Sequence, residues 1–232
     1  MKHIVVISGA GISAESGLKT FRDSNGLWEG HDIMEVATPL GFKNNPELVL
    51  EFYNQRRRQL LEVHPNFAHK TISELETNYK VSIITQNVDG LHQQAGVPAN
   101  RVIELHGNAQ YATCLSCKRR YELDLLEKAF REHGYVPDCE QCGGIIKTAT
   151  ISFGQPMPEE EMRLAEELSI ECDLFLVLGS SLVVYPAAGL PQTAKTYGAK
   201  LAIINEQDTD LDVLFDIKLQ MNIGEVLAKA IP

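Results

Sequence analysis

The sequence predicts an α/β fold, a Rossmann-like parallel sheet domain that carries a smaller inserted domain. Short apolar runs, such as residues 4–7 and 174–178, are typical of parallel strands that are buried on both faces. Helical patterns separate these runs, and most runs end in a glycine or a polar cluster. The chain has 232 residues, which suits one or two domains at about 150 residues each.

The charge balance excludes several classes of partner. The chain has 21 basic and 31 acidic residues, so its net charge is −10 at pH 7. Such a chain has no general basic field for nucleic acid or for an anionic membrane surface. No apolar run approaches the ~20 residues of a membrane span, and the N-terminus lacks the features of a secretory signal. We therefore expect a cytoplasmic protein without membrane or nucleic-acid partners.

The first predicted strand, residues 3–8, leads directly into a glycine-rich turn. Gly9, Gly11 and Ala14 give the pattern G-x-G-x-x-A, in which a strand turns tightly into a helix. Backbone N–H groups in such a turn can bind a pyrophosphate. An ordinary glycine turn between a strand and a helix is the alternative. The polar and aromatic loop that follows, with Phe21, Arg22 and Trp28, suggests a lid over a ligand.

The cysteines predict a metal site. Cys114 and Cys117 form one C-x-x-C pair, and Cys139 with Cys142 forms another after an interval of 21 residues. In a cytoplasmic chain this spacing favours a tetrahedral four-cysteine zinc ribbon over disulfides. Four unliganded thiols are the alternative. Because four cysteines fill the zinc shell, one structural Zn²⁺ per chain is expected. Cys172 stands apart and is expected in the core.

The remaining elements follow from periodicity and from capping signals. Asn45, Pro46 and Glu47 begin a helix that runs to about Leu61. Further helices are expected from near Pro65, from Pro158 and over 186–197, and the helix from Pro158 should turn Leu164 and Leu168 inward. Further strands are expected at 81–85, 102–105, 174–178 and 201–204. Residues 150–154 are expected to return to the core.

Polar clusters follow the predicted strands. They lie at residues 9–13, 86–92, 106, 179–181 and 205–206. Because the carboxyl ends of parallel strands share one edge of a sheet, these clusters predict one ligand site.

Three residues of these clusters suit the handling of a sugar. Asn87 and Asp89 can hold ribose hydroxyls and an amide, and His106 can take a hydroxyl proton near neutral pH. A turn histidine satisfied by the backbone is the alternative for His106. Neither metal-ligand spacing nor a Ser or Cys nucleophile accompanies these residues, so hydrolase chemistry of the serine or cysteine type is poorly supported.

Taken in order, the motifs resemble those of the sirtuins, which are NAD-dependent protein lysine deacylases. The matching segments are Gly9-Ala-Gly-Ile-Ser13, Phe21-Arg22, Gly26-Leu-Trp28, Thr85-Gln-Asn-Val-Asp89, Leu105-His-Gly107, both C-x-x-C pairs, Phe153-Gly154, Gly179-Ser-Ser-Leu182, Tyr185-Pro-Ala187 and Asn205. The resemblance implies an NAD-binding domain of residues 1–30, 75–107 and 148–232. It also implies a small domain of residues 31–74 and 108–147.

The resemblance also assigns the site. His106 matches the catalytic base of the family, and acylated lysine side chains of proteins are the implied substrates. The implied NAD-binding residues are Gly9, Ala10, Gly11, Ser13, Phe21, Arg22, Trp28, Gln86, Asn87, Val88, Asp89, Gly179, Ser180, Ser181, Asn205, Glu206, Gln207 and Ile223. Lys19 and Gln155 depart from the commonest family pattern, in which proline and glutamate stand there.

One helix carries a specificity signal. Tyr53 and Arg56 share a face with Val49 and Leu60. Sirtuins with Tyr-x-x-Arg here resemble the subclass that removes succinyl and malonyl groups, so we expect these activities beside deacetylation. A solvated arginine in the run 56–58 is the alternative. At the level of function, mono-ADP-ribosyl transfer, NAD hydrolysis and a non-catalytic zinc-ribbon binding module are the other hypotheses.

Overall fold

The structure is a computed structural model that describes residues 2–20 and 30–230. In this part of the chain the strands are β1 (His3–Ser8), β2 (Lys80–Thr85), β3 (Val102–Glu104), β4 (Tyr111–Cys114), β5 (Arg120–Glu122), β6 (Ile146–Thr148), β7 (Leu174–Leu178), β8 (Lys200–Ile204) and β9 (Ile217–Leu219). The α-helices are α1 (Ile33–Val36), α2 (Pro39–Asn44), α3 (Pro46–Glu62), α4 (Phe67–Leu75), α5 (Leu91–Gln94), α6 (Leu123–His133), α7 (Glu159–Glu171), α8 (Leu190–Thr196) and α9 (Ile223–Ala230).

Six strands form one sheet in the order β3-β2-β1-β7-β8-β9, and every neighbouring pair is parallel. Alternate side chains of β1 enter two different cores, because successive residues of a strand point to opposite faces. Val5 and Ile7 pack in the core that includes residues of α7 and α8. Ile4 and Val6 pack in the core that includes residues of α4 and α9. Both faces of the sheet are therefore covered, as the apolar runs predicted.

The strand order places a crevice beside β1. In the sheet, β2 and β3 lie on one side of β1, and β7, β8 and β9 lie on the other side. Ligands of open α/β sheets bind at this kind of switch point, outside the carboxyl ends of the strands. The predicted Rossmann-like sheet is confirmed.

The second sheet is small and antiparallel, in the order β5-β4-β6. Its core contains Ala112, Leu126 of α6, Ile146 and the zinc-module cysteines Cys114 and Cys139. This core is separate from the two cores of the large sheet, so the cysteine module forms an independently packed unit.

Helices α1–α3 pack against one another. Side chains of Asp32, Thr38 and Asn45 cap the three helices by accepting hydrogen bonds from backbone N–H groups. Helix α4 differs, because Ala68 and Ile72 pack with the core of the large sheet. We therefore propose the division into two domains with one boundary moved from residue 74 to about residue 66.

The turn after Gly9 continues into a helix, as predicted, and this helix is of the 3-10 type, Ala10–Ser16. Two details of the predicted elements were wrong. Leu164 is 37% exposed, because α7 turns Met162, Ala165 and Leu168 toward the core instead. The helix expected over 186–197 is divided into a 3-10 turn, Ala187–Gly189, and α8. Among the described residues, no helix has the length and apolar character that crossing a membrane requires.

Candidate active site

A cavity of about 390 Å³ lies at the carboxyl ends of the parallel strands. The following predicted site residues line it: Gly9, Ala10, Gly11, Tyr53, Arg56, Gln86, Asn87, Val88, His106, Gly179, Ser180, Ser181, Asn205, Glu206, Gln207 and Ile223. Ser13 and Asp89 line a smaller neighbouring cavity, which Arg56 and Asn87 also line. Phe21, Arg22 and Trp28 lie outside the described residues. The sheet therefore brings the predicted clusters of its described part to one place.

The two glycine turns pack against each other. The N–H of Gly9 donates to the carbonyl of Leu178 at 3.0 Å, and the N–H of Gly11 donates to the carbonyl of Gly179 at 2.9 Å. A Cβ at Gly9 would lie 2.6 Å from the Gly179 oxygen, and one at Gly11 would lie 2.7 Å from Gly179 Cα. Gly179 itself has φ of +62°, which favours glycine. These glycines are required by backbone contact between the turns of β1 and β7.

A buried polar network joins the first turn to the loop after β2. Asn87 Nδ2 donates to the Gly9 carbonyl at 3.0 Å and to Ser13 Oγ at 3.1 Å. Ser13 Oγ donates to Asp89 Oδ2 at 2.7 Å, while Asp89 Oδ1 accepts from the Leu91 N–H at 3.0 Å. Burial raises the pKa of Asp89, and these hydrogen bonds together with Arg56 oppose the rise. This network fixes the position of the turn after β1 relative to the loop after β2.

The side chain of Gln86 crosses toward the second glycine turn. Ser180 Oγ donates to Gln86 Oε1 at 2.6 Å and accepts a longer contact of 3.3 Å from the Leu182 N–H. The loops after β1, β2 and β7 are therefore connected by side-chain hydrogen bonds on the cavity wall.

His106 has the geometry of a general base. Its Nδ1 lies 3.0 Å from the carbonyl oxygen of Gln86, which can only accept, so Nδ1 carries the proton. The remaining nitrogen, Nε2, then holds a lone pair for a substrate proton. Burial lowers the pKa of His106, and the hydrogen bond to Gln86 opposes this effect. The backbone does satisfy one nitrogen, as the turn-histidine alternative required, but His106 also lines the cavity.

Tyr53 and Arg56 extend from α3 to the cavity wall. Burial raises the pKa of Tyr53, and the side chain of Thr150 together with the charge of Arg56 opposes the rise. Burial lowers the pKa of Arg56 to about 10, although Tyr53 and Asp89 oppose the change. Arg57 instead forms ion pairs with Asp124 and Glu127 of α6. Arg58 is exposed, so the three consecutive arginines lie in different environments, which argues against a uniformly solvated charge run.

Several wall residues were not predicted from the sequence. Thr150 and Ile151 line the cavity, and the Ile151 N–H donates to the His106 carbonyl at 2.9 Å. Glu15 also lines it and accepts from the Gly224 N–H at 3.0 Å, at the start of α9. The core-like pattern of 150–154 was the available signal for the first pair. Glu15 gave none, because its partner lies at the other end of the chain.

The four cysteines of the two C-x-x-C pairs come together. Their sulfur atoms all lie within 4.8 Å of one another, with 3.5 Å between Cys114 and Cys142 and 3.6 Å between Cys117 and Cys139. A tetrahedral site with Zn–S bonds of about 2.3 Å separates its sulfurs by roughly 3.8 Å. The donor set therefore fits one structural zinc ion. Tyr121 stabilises the cluster by donating a hydrogen bond to Cys139 Sγ at 3.1 Å.

The fold and the site define a class of protein. The cavity occupies the switch point of a Rossmann-type sheet, where glycine turns and a neutral histidine face the same space. This is the arrangement of an enzyme that uses a dinucleotide.

Comparisons with known proteins identify the family. The model of the Sir2 family matches residues 9–186. An NAD-dependent protein deacylase 2 of Archaeoglobus fulgidus is 46% identical over 232 residues, which cover 99% of this chain and 90% of that protein. A solved structure of Sir2 bound to acetylated peptide is 35% identical, with a TM-score of 0.85 and coverage of 98% and 91% of the two chains. The chain belongs to the Sir2 family.

A further solved structure shows Sir2 with an inhibitor, 2'-O-acetyl-ADP-ribose and a deacetylated p53 peptide. That structure is 35% identical, with a TM-score of 0.82 and coverage of 98% of this chain and 91% of its own. The sirtuin resemblance inferred from the motifs is therefore confirmed.

Proposed function

We propose that this NAD-dependent protein deacylase removes acidic acyl groups, such as succinyl and malonyl, from protein lysines in addition to acetyl groups. The observation that carries the proposal is the position of Arg56 on the cavity wall beside Tyr53. The products are nicotinamide, the free lysine and O-acyl-ADP-ribose.

The residues of the cavity fit an NAD molecule. Gly9, Gly11 and Gly179 present backbone at two turns, and side chains of Asn87 and Asp89 offer amide and carboxylate groups near them. When bound, NAD supplies the ribose carbon and hydroxyl that receive the acyl group. We assign phosphate contacts to the glycine turns and adenosine contacts to residues 205–207 and 223 at the other end of the cavity.

His106 takes the proton in this proposal. The Gln86 carbonyl holds the Nδ1–H of this residue, so Nε2 would be the atom that takes a proton from a ribose hydroxyl of bound NAD, the hydroxyl that would receive the acyl group. Because its pKa is lowered, the His106 imidazole is neutral at pH 7 and can therefore accept a proton. Asn87 and Asp89 keep the loop that faces His106 in place through their contacts with Ser13.

Arg56 accounts for the acidic acyl groups. Burial lowers the pKa of its guanidinium because the charge is poorly solvated there, and a carboxylate at the end of an acyl chain would offset that cost. Charge-assisted hydrogen bonds of this kind are worth about 1.5 to 3 kcal/mol, or about ten- to a hundredfold in specificity. Tyr53 and Thr150 line the same cavity.

The test compares acetyl-, succinyl- and malonyl-lysine peptides on the wild type and on Arg56→Met. Methionine keeps much of the side-chain length and removes the charge. Desuccinylation and demalonylation should fall about ten- to a hundredfold in kcat/KM, while deacetylation stays level or rises. Arg58→Met, at an exposed position of the same helix, is the matched control. An equal loss on all three peptides would mean that Arg56 supports the fold, and the specificity proposal would be withdrawn.

The same reactions address the other enzymatic hypotheses. Mono-ADP-ribosyl transfer and NAD hydrolysis use an NAD pocket without an acyl acceptor. Mass spectrometry of the products should show nicotinamide release that depends on acyl-peptide and equals the O-acyl-ADP-ribose formed. Nicotinamide release that is independent of acyl-peptide would favour hydrolysis.

A further inference from the structure

Two histidines that do not line the cavity form a buried pair. His69 of α4 and His92 of α5 are 0% and 1% exposed, and their ring centroids lie 5.0 Å apart. Nε2 of His69 and Nδ1 of His92 are buried and accept no hydrogen bond from a described residue. A buried polar atom without a partner is costly, so these rings require an explanation beyond packing.

The other nitrogen of His92 begins a chain of hydrogen bonds. Its Nε2 lies 2.9 Å from Ser8 Oγ, and Ser8 Oγ donates its proton to Thr85 Oγ1 at 2.9 Å. With Ser8 donating to Thr85, the contact with the imidazole is assigned as a donation from His92 Nε2 to Ser8 Oγ. Thr85 Oγ1 also accepts from the Asn87 N–H at 3.0 Å. The chain ends at the loop that follows β2.

The other nitrogen of His69 begins a second chain. Its Nδ1 lies 2.9 Å from Asn66 Oδ1, which can only accept, so His69 donates from Nδ1. The amide of Asn66 then donates from Nδ2 to the Ile12 carbonyl at 2.7 Å. This chain ends in the turn that follows β1.

We infer that His69 and His92 are a pair of positioning residues, each holding one of the two cofactor loops through its single N–H. His69 sets the glycine turn through Asn66 and Ile12, while His92 sets the 86–89 loop through Ser8 and Thr85. Each ring must stay neutral and in one tautomer, because its second nitrogen is buried and has no hydrogen-bond partner among the described residues. Burial lowers the pKa of His69 to about 4 and that of His92 to about 3, which agrees with two neutral rings.

The inference assumes the proposed NAD contacts of the two loops but is independent of the acyl specificity. Its test therefore uses acetyl-peptide, on which Arg56 has no expected effect. A failure of the succinyl and malonyl proposal would leave these measurements unchanged.

The test replaces each histidine by glutamine and, separately, by asparagine in the full, zinc-loaded chain. These substitutions test the role of each N–H group separately. The side-chain nitrogen of glutamine can replace histidine Nε2, and that of asparagine can replace Nδ1. At His92, glutamine should keep kcat within about threefold, while asparagine should lower kcat about ten- to a hundredfold. At His69 the order should reverse, and glutamine should raise the KM for NAD by a similar factor. Equal effects of the two amides at either position would overturn the inference.

Nitrogen NMR of the ¹⁵N-histidine-labelled wild type gives a second measurement that needs no variant to fold. The contact between the two rings identifies their signals and separates them from His106, which also carries its proton on Nδ1. At pH 7 one ring of the pair should be neutral and protonated at Nδ1 and the other at Nε2, and neither should titrate between pH 7 and 5. The reverse tautomers, or an imidazolium at either position, would overturn the assignment even if every variant were unstable.

Discussion

Substitution of Gly11 by alanine tests the contact between the two glycine turns. The new Cβ would lie 2.7 Å from Gly179 Cα and 2.9 Å from the Gly179 oxygen, whereas ordinary contacts begin at 3.4 Å. The opposing turn must therefore move by about 0.7 Å. Overpacking of this kind costs roughly 1 to 3 kcal/mol. For a chain of this size each kcal/mol lowers Tm by roughly 2 to 4 °C.

The assay combines thermal unfolding with steady-state kinetics. Gly11→Ala should lower Tm by about 2 to 12 °C and raise the KM for NAD, because the displaced turn carries the N–H groups assigned to the phosphates. Gly189→Ala is the control, since the nearest atom to its Cβ would be Tyr185 Cε1 at 4.0 Å. That variant should be unchanged or stabilised by about 0.4 to 1 kcal/mol. An unchanged Tm and KM for Gly11→Ala would refute the reasoning.

Two further predictions concern the base and the metal. Because burial lowers the pKa of His106 below 6.5, its neutral form persists as the pH falls, so the acidic limb of kcat/KM should lie below pH 6.5. A limb above pH 6.5 would point to another group, and His106→Ala should abolish deacylation without loss of zinc or of the folded state. Cys139→Ser or chelation should release zinc, unfold the small sheet and remove the α6 partners of Arg57, so activity should fall indirectly. Fully active protein without zinc, by metal analysis, would contradict this expectation.

The sequence predicted those features that depend on local pattern. The strand at 174–178 has the predicted bounds, since a fully apolar run bounded by a glycine admits few other structures. The polar clusters met at one edge because parallel strands leave no other arrangement for their carboxyl ends. The helix of Tyr53 and Arg56 began at its predicted cap, Asn45.

Features that depend on contacts distant in sequence were not predictable. Leu164 was assigned to the core because its spacing from Leu168 is helical, but the phase of α7 is set by the surface on which the helix packs. The hydrogen bond from Gly224 to Glu15 has no sequence signal at either residue. His92 was counted in the polar cluster at 86–92, whereas His69 gave no signal. Only the fold shows that His92 lies outside the cavity and that both rings are buried in contact.

The contact between Gly11 and Gly179 has a consequence for biosynthesis. On the ribosome, β1 emerges first and pairs with β2, but its other edge stays open until β7 has been synthesised. When synthesis has reached His106, the chain contains Asn87 and the glycine turn after β1. It does not yet contain the turn after β7, against which the first turn packs. Such a chain exposes an apolar strand edge to aggregation and waits for a pairing between distant segments, which is a slow step.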